Sequence, residues 1–158
     1  MTVATRPADR ADLDQIVAFI RELAVYEKLE EAVRATPADV AALLFGASPV
    51  AFCDIAEVEG EPVGFAVWFY NVSTFLGRKG IYLEDLYIRE ADRGKGAGLA
   101  LLKGLARRCR AEGLGRLEWA VLNWNAPAIA FYDQLGAEAM DGWTVRRMTG
   151  DALEKLAR

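Results

Sequence analysis

The sequence predicts a mixed α/β chain of the α+β type, folded as one domain over residues 1–158. Three observations carry this. Apolar residues recur at helical spacing after a short first strand, the middle of the chain reads as a hairpin, and a glycine-rich loop runs straight into a helix.

In order, "TVATRPA" predicts a first strand closed by Pro7. From Asp9, the residues Leu13, Ile16, Val17, Ile20, Leu23 and Ala24 fall on one helical stripe, so a helix is expected to about Glu27. "TPADVAALLFG" predicts a second helix, with Thr36 as cap, Pro37 in the first turn, Asp39 as capping-box carboxylate and Gly46 at the end. "VAFCDIAEV", "GEP" and "VGFAVWFYNV" read as strand, tight turn and strand, and "IYLEDLYI" as a fourth strand. A helix then runs from the glycine loop to Gly113, followed by a strand at "RLEWAVL", a helix at "NAPAIAFYDQLG", a strand at "GWTVRRM" and a helical tail at "DALEKLA". The order βααβββαβαβ has an antiparallel first half and a crossover helix after the fourth strand.

Composition sets limits on function. With 53% apolar and 27% charged residues the chain is of ordinary globular type, and no apolar run approaches the roughly 20 residues of a membrane span. "MTVATRPADRADL" lacks a signal peptide's apolar core, so a cytoplasmic location without membrane partners is expected. A formal net charge of −4 argues against nucleic acid as partner. Two cysteines, Cys53 and Cys109, make neither a disulfide framework nor a zinc site. There is no histidine, which excludes Ser-His and Cys-His relays. Acid–base work falls to Asp, Glu, Tyr, Lys or Cys, and no metal site is expected.

Arg93, Gly94, Lys95, Gly96, Ala97 and Gly98 put three glycines and two cations at the start of a helix, with Leu99 next. Amide N–H groups at a helix N-terminus attract phosphate, and glycine lets it approach the backbone. The spacing fits neither a Walker loop, since Gly96 follows Lys95, nor the Rossmann fingerprint, which meets Leu99 or Leu101 where Gly or Ala is required. An Arg-x-x-Gly-x-Gly pattern remains, which a glycine-rich surface turn would also give.

In "IYLEDLYI", Ile81 and Leu83 share one phase of a two-residue repeat, and Leu86 and Ile88 share the other. One extra residue at Glu84-Asp85 produces that slip, so a β-bulge is expected there. A strand buried on both faces is the alternative, but adjacent carboxylates would be costly to bury in it. A bulge frees amides near Leu86, Tyr87 and Ile88 to bind an extended, amide-bearing cofactor. Asn125 and Tyr132 lie seven residues apart, two helical turns, so they share nearly one face. Tyr132, a phenol with ordinary pKa of about 10, is able to protonate a leaving thiolate, although helical tyrosines also serve as core.

The glycine loop resembles the acetyl-CoA pyrophosphate loop of the GNAT superfamily of N-acetyltransferases. "RELAVYEKLEEAV", "YLED", "RGKGAG", "WNAPAIAFY" and "GW" together resemble its diamine (spermidine/spermine) N-acetyltransferase branch, in order and over nearly the whole chain. The resemblance implies a twisted mixed sheet splayed between strands four and five, with helices on both faces. It implies acetyl-CoA as co-substrate, held by Leu86 to Ile88, Arg93 to Leu99, and Asn125, Ala126, Pro127, Ala128 and Tyr132. Tyr132 becomes the general acid and Glu84 the base, acting through water. Tyr26, Glu27, Phe75, Glu84, Asp85, Glu118, Trp119, Ala120, Asp141 and Trp143 become the small-amine site. The family is dimeric, so a homodimer is expected, with Asp141 and Trp143 shared across it.

Phe75 stands where the polyamine enzymes carry Trp, and Asp141 where they carry Glu. Both departures bear on substrate length. The chain therefore reads as an acetyltransferase of polyamines, transferring directly in a ternary complex, with thialysine or lysine-like amino acids as the alternative. A protein-lysine acetyltransferase and a non-catalytic acetyl-CoA-binding module are more remote alternatives.

Overall fold

A computed structural model describes all residues from Met1 to Arg158. They form two compact units, Met1–Ala120 and Val121–Arg158. The first holds β1 (Val3–Pro7), α1 (Leu13–Tyr26), α2 (Pro37–Phe45), β2 (Phe52–Val58), β3 (Glu61–Ser73), β4 (Arg78–Ile88), α3 (Ala97–Glu112) and β5 (Leu117–Trp119). The sheet runs in the order β1-β2-β3-β4-β5. Its first three pairings are antiparallel and β4–β5 is parallel. A parallel pair requires a crossover, which α3 supplies.

The apolar stripe of α1 explains one face. Ile16, Val17, Phe19 and Leu23 pack with Val40 and Leu44 of α2 onto Cys53, Ile55 and Phe65 of the sheet. A short 3-10 turn at Arg10–Asp12 precedes α1, so the helix expected from Asp9 starts one tighter turn later. Asp9 and Asp12 close a capping box there. Arg6 donates two bonds to Asp12, at 2.8 and 2.9 Å, and one to Glu57 at 2.7 Å, tying this turn to β1 and β2. On α2, Thr36 and Asp39 form the expected capping box with Pro37 in the first turn.

The opposite face carries α3, anchored by polar and aromatic groups. Trp68 donates from Nε1 to Asp54 at 2.9 Å while the Arg108 guanidinium lies 5.0 Å over its ring. Tyr70 donates to Glu112 at 2.7 Å. Leu101, Leu102 and Leu105 are buried beneath α3.

The bulge occurs where the phase slip predicts it. Leu83 pairs with Trp68 and Asp85 with Val67, so Glu84 is the extra residue on β4. The β4–β5 ladder covers only Ile81–Leu83 against Leu117–Trp119 and stops at the bulge. Strand pairing in "RLEWAVL" is thus shorter than expected, and β4 beyond Leu83 has β3 alone as sheet neighbour.

The second unit contains α4 (Ala126–Gln134) and α5 (Gly150–Leu156). Asn125 is the N-cap of α4, accepting the Ala128 N–H at 3.4 Å, and Gly136 follows the helix with φ 81°. The strand expected at "GWTVRRM" does not form. Trp143 and Val145 are 78% and 85% exposed, and this stretch has no strand partner. Alternation suggests a strand, but only a neighbour's N–H and C=O groups make one. No helix is long and apolar enough to cross a membrane.

Candidate active site

The site grows from the bulge. Because Asp85 and Val67 pair beyond the extra residue, Asp85 falls on the α1 side of the sheet with Tyr87 and Phe65. Glu84, displaced from the ladder, is exposed. Glu27, at the end of α1, completes a cluster of three carboxylates. Burial, then the charge of Glu84, then that of Glu27, push the Asp85 carboxyl up to about 7. Burial also raises Glu27. Asp85 therefore titrates near neutral pH rather than in the usual carboxylate range.

Tyr26 neighbours Glu27 and carries the Arg93 guanidinium 4.5 Å over its ring. Arg93 also donates from Nε to the Ile88 carbonyl at 3.0 Å, tying the glycine loop to the end of β4. Lys95 pairs with Asp92 at 2.7 Å. Both cations of the loop thus already have protein partners, which leaves the backbone as the main anion donor.

That backbone fits a phosphate group. Gly94 and Gly96 take φ values of 78° and 88°, which side-chain-bearing residues rarely adopt. A Cβ at either would meet no atom within 4 Å, so the approach is open. No side chain caps α3, and its first-turn N–H groups have no partner within the helix. Leu86, Tyr87 and Ile88 lie on β4 beyond the end of the β5 ladder, with Ala97, Gly98 and Leu99 opening α3.

Glu118 and Trp119 lie on β5 and Ala120 follows it. Glu118 pairs with Arg116 at 2.8 Å and accepts from Asn71 Nδ2 at 3.1 Å. Asn71 and Arg116 were not among the residues singled out from sequence, because their meeting is a product of strand pairing. Phe75 is fully exposed in the β3–β4 connection. It lies eight residues beyond Val67, and the six of them that run along β3 to Ser73 already span about 20 Å from the level of Asp85, so this chain does not bring it to the carboxylates.

In the second unit, Asn125 is buried and Tyr132 half-buried on α4, with the Tyr132 ring 5.5 Å from that of Phe131. Ala126, Pro127 and Ala128 form the first turn of α4. Asp141 and Trp143 are exposed outside any regular element.

A bulged strand, a ladder that ends beside it and an uncapped glycine-rich helix start together frame the candidate site. The model of the Acetyltransferase (GNAT) family matches residues 12–137, and the chain belongs to that family of N-acetyltransferases. It is 37% identical to the thialysine N-epsilon-acetyltransferase of Bos taurus, over 98% of this chain and 97% of that one. It is 32% identical to the spermidine/spermine N(1)-acetyltransferase-like protein 1 of Homo sapiens, over 96% of this chain and 23% of that one. Among solved structures, an integron cassette protein from the mobile metagenome of V. cholerae superposes with a TM-score of 0.82 at 29% identity, covering 100% of this chain and 99% of that one.

Proposed function

We propose that this protein transfers the acetyl group of acetyl-CoA directly to the side-chain amine of a lysine-like amino acid such as thialysine. The observation that carries transfer to an amine is the carboxylate cluster at the bulge, Glu27, Glu84 and Asp85, beside the point where β4 and β5 part. The choice of a lysine-like amino acid rests on the likeness to a thialysine acetyltransferase. Residues alone set polyamines ahead. The likeness to a thialysine acetyltransferase over almost the full length of both chains supports the amino-acid alternative better.

In this reading the backbone of Arg93 to Leu99 holds pyrophosphate, and amides of Leu86 to Ile88 hydrogen-bond the pantetheine arm. Asn125 to Ala128 supply further cofactor contacts. Acetyl-CoA supplies an activated thioester. The protein's own work is to seat and deprotonate the amine, because an alkyl ammonium near pKa 10 is no nucleophile. Asp85 and Glu27 draw the cation in, and Glu84 takes its proton through water. The nitrogen lone pair forms the new C–N bond as the C–S bond breaks, Tyr132 protonates the departing sulfur, and the acylated nitrogen gives up its second proton through water, which returns Tyr132 to its neutral form. Tyr26, Glu118, Trp119 and Ala120 line the amine site, joined in a homodimer by Asp141 and Trp143. The whole chain acts as one domain in the cytoplasm.

Polyamines remain the second reading, favoured by the three grouped carboxylates, which suit a polycation. A thiol-release assay with acetyl-CoA and thialysine, lysine, spermidine and spermine tests both. Highest kcat/KM for thialysine is expected. Preference for spermidine or spermine would reinstate the polyamine reading, and absence of release with every amine would overturn the catalytic proposal.

A further inference from the structure

We propose that Arg116, Glu118 and Asn71 form a clamp for the α-carboxylate and α-ammonium of an amino-acid substrate, making them the residues that select amino acids over plain diamines. The proposal rests on the amino-acid reading above and deepens it.

The register puts Asn71 and Glu118 on the same side of the sheet as Asp85, and the ion pair with Glu118 brings Arg116 to them. Phe69 pairs with Tyr82 and Asn71 with Gly80, while Tyr82 pairs with Glu118 across the parallel ladder. Asn71, Tyr82 and Glu118 therefore share the face that carries Val67 and Asp85. The Phe69 and Tyr82 rings, with centroids 5.3 Å apart, stand at the level of Glu118. From the level of Phe69 to that of Val67 is two residues, about 7 Å, and β5 is one strand spacing to the side. A lysine-type side chain spans that distance, with its head group at Glu118 and its terminal amine at Asp85.

The clamp is built by a missing side chain. Gly80 has an ordinary φ, so its backbone does not require glycine. A Cβ there would stand 2.7 Å from Asn71 Oδ1, 2.8 Å from the Arg116 carbonyl and 3.4 Å from Arg116 Cγ. Glycine thus opens the slot in which Asn71 and the Arg116 stem pack. The Ile81 N–H holds the Arg116 carbonyl at 3.0 Å.

Within the slot the groups are arranged for a zwitterion. Arg116 meets Glu118 Oε1 through Nε, and Asn71 Nδ2 donates to the same oxygen. Because Arg116 meets Glu118 through Nε, its Nη groups are the part of the guanidinium that the clamp assigns to the substrate carboxylate, which a guanidinium takes by parallel bonds. Glu118 Oε2 receives neither of these contacts and accepts from an ammonium. Both side chains are reachable, at 46% and 34% exposure. Asn71 orients Glu118 through Nδ2, while its Oδ1 is buried without a hydrogen-bond partner.

Calorimetric binding of thialysine and of bis(2-aminoethyl) sulfide, the same molecule without its carboxylate, tests this. Arg116→Gln is expected to raise the ratio of the thialysine Kd to the diamine Kd by roughly ten- to a hundredfold, the worth of one charge-assisted carboxylate contact. Arg116→Lys should restore part of it. Thialysine methyl ester on the unaltered protein should bind weaker than thialysine by a similar factor, which needs no variant to fold. An unchanged ratio in Arg116→Gln, or equal binding of the ester, overturns the clamp while a thialysine preference keeps the amino-acid reading. If the unaltered protein binds the diamine more tightly or binds neither molecule, clamp and amino-acid reading fall together.

Discussion

Glu27, at the end of α1, and Asp85, on β4 just past the bulge, face each other closely enough for the charge of one to raise the carboxyl of the other. Asp85 ordinarily ionises near 3.8 but is pushed up to about 7 here, burial being the larger cause. Between those two values the folded protein holds a proton that the unfolded chain gives up. Asp85 thus contributes a stability that is full at low pH and declines as pH rises toward 7. The stability of Asp85→Asn relative to the parent should therefore grow from pH 4 to pH 8, as read by thermal melting at each pH. A constant difference would show that Asp85 is not perturbed.

The same titration should appear in substrate binding. An ammonium binds the ionised cluster best, so the amine KM should fall as pH rises through about 7. Glu84→Gln should move that inflection downward more than Glu27→Gln, since Glu84 is the stronger of the two charge effects. Steady-state kinetics between pH 5.5 and 8.5 measure both shifts, and the opposite order would argue against the arrangement at the bulge.

Gly96 separates backbone strain from cofactor obstruction. At φ 88°, valine would cost stability before any ligand is added. Asparagine tolerates a left-handed backbone far better and still puts a side chain where Gly96 leaves open space. Gly96→Asn should melt close to the parent yet raise the acetyl-CoA KM about tenfold or more. Unchanged cofactor affinity would remove the loop from the pyrophosphate site.

Tyr132→Phe removes the hydroxyl while keeping the ring that packs beside Phe131. If Tyr132 protonates the leaving sulfur, kcat should fall by about 10²–10⁴ with little change in acetyl-CoA binding. Near-normal single-turnover rates would make it a packing residue instead.

Gly64→Ala probes the strand pair that carries the cofactor amides. Its Cβ would collide with the Tyr87 carbonyl and stand 2.5 Å from Ile88 Cδ1 and 3.0 Å from Ile88 Cα. A destabilisation of about 1–3 kcal/mol is expected from forcing β3 and β4 apart. A raised acetyl-CoA KM should accompany it, since the displaced residues are those proposed to bind pantetheine. Denaturant melts and initial rates report the two effects separately.

Local signals in the sequence were sufficient where the structure is local. Leu13 to Ala24 revealed α1 by spacing, Thr36 with Asp39 revealed the cap of α2, and the phase change between Leu83 and Leu86 revealed the bulge. The failures are those of partnership. "GWTVRRM" alternates like a strand yet has no ladder, and "RLEWAVL" pairs over only three residues because β4 turns aside at Glu84. The charge sharing of Glu27 with Asp85, and the meeting of Asn71 with Glu118, depend on pairings between distant segments. No spacing rule reads those. The role of Gly80 within β4, making room for two side chains, likewise needed the neighbours in place.

Glu84 is an insertion that leaves the rest of its strand undisturbed. Leu83 lies on the α3 side with Trp68, and Asp85 lies on the α1 side with Val67, so removing the residue between them would restore simple alternation. Every other side chain of β4 would keep its present face. The bulge and the sheet are therefore separable by a single-codon deletion, which would turn β4 into a regular strand without redesigning the core beneath it.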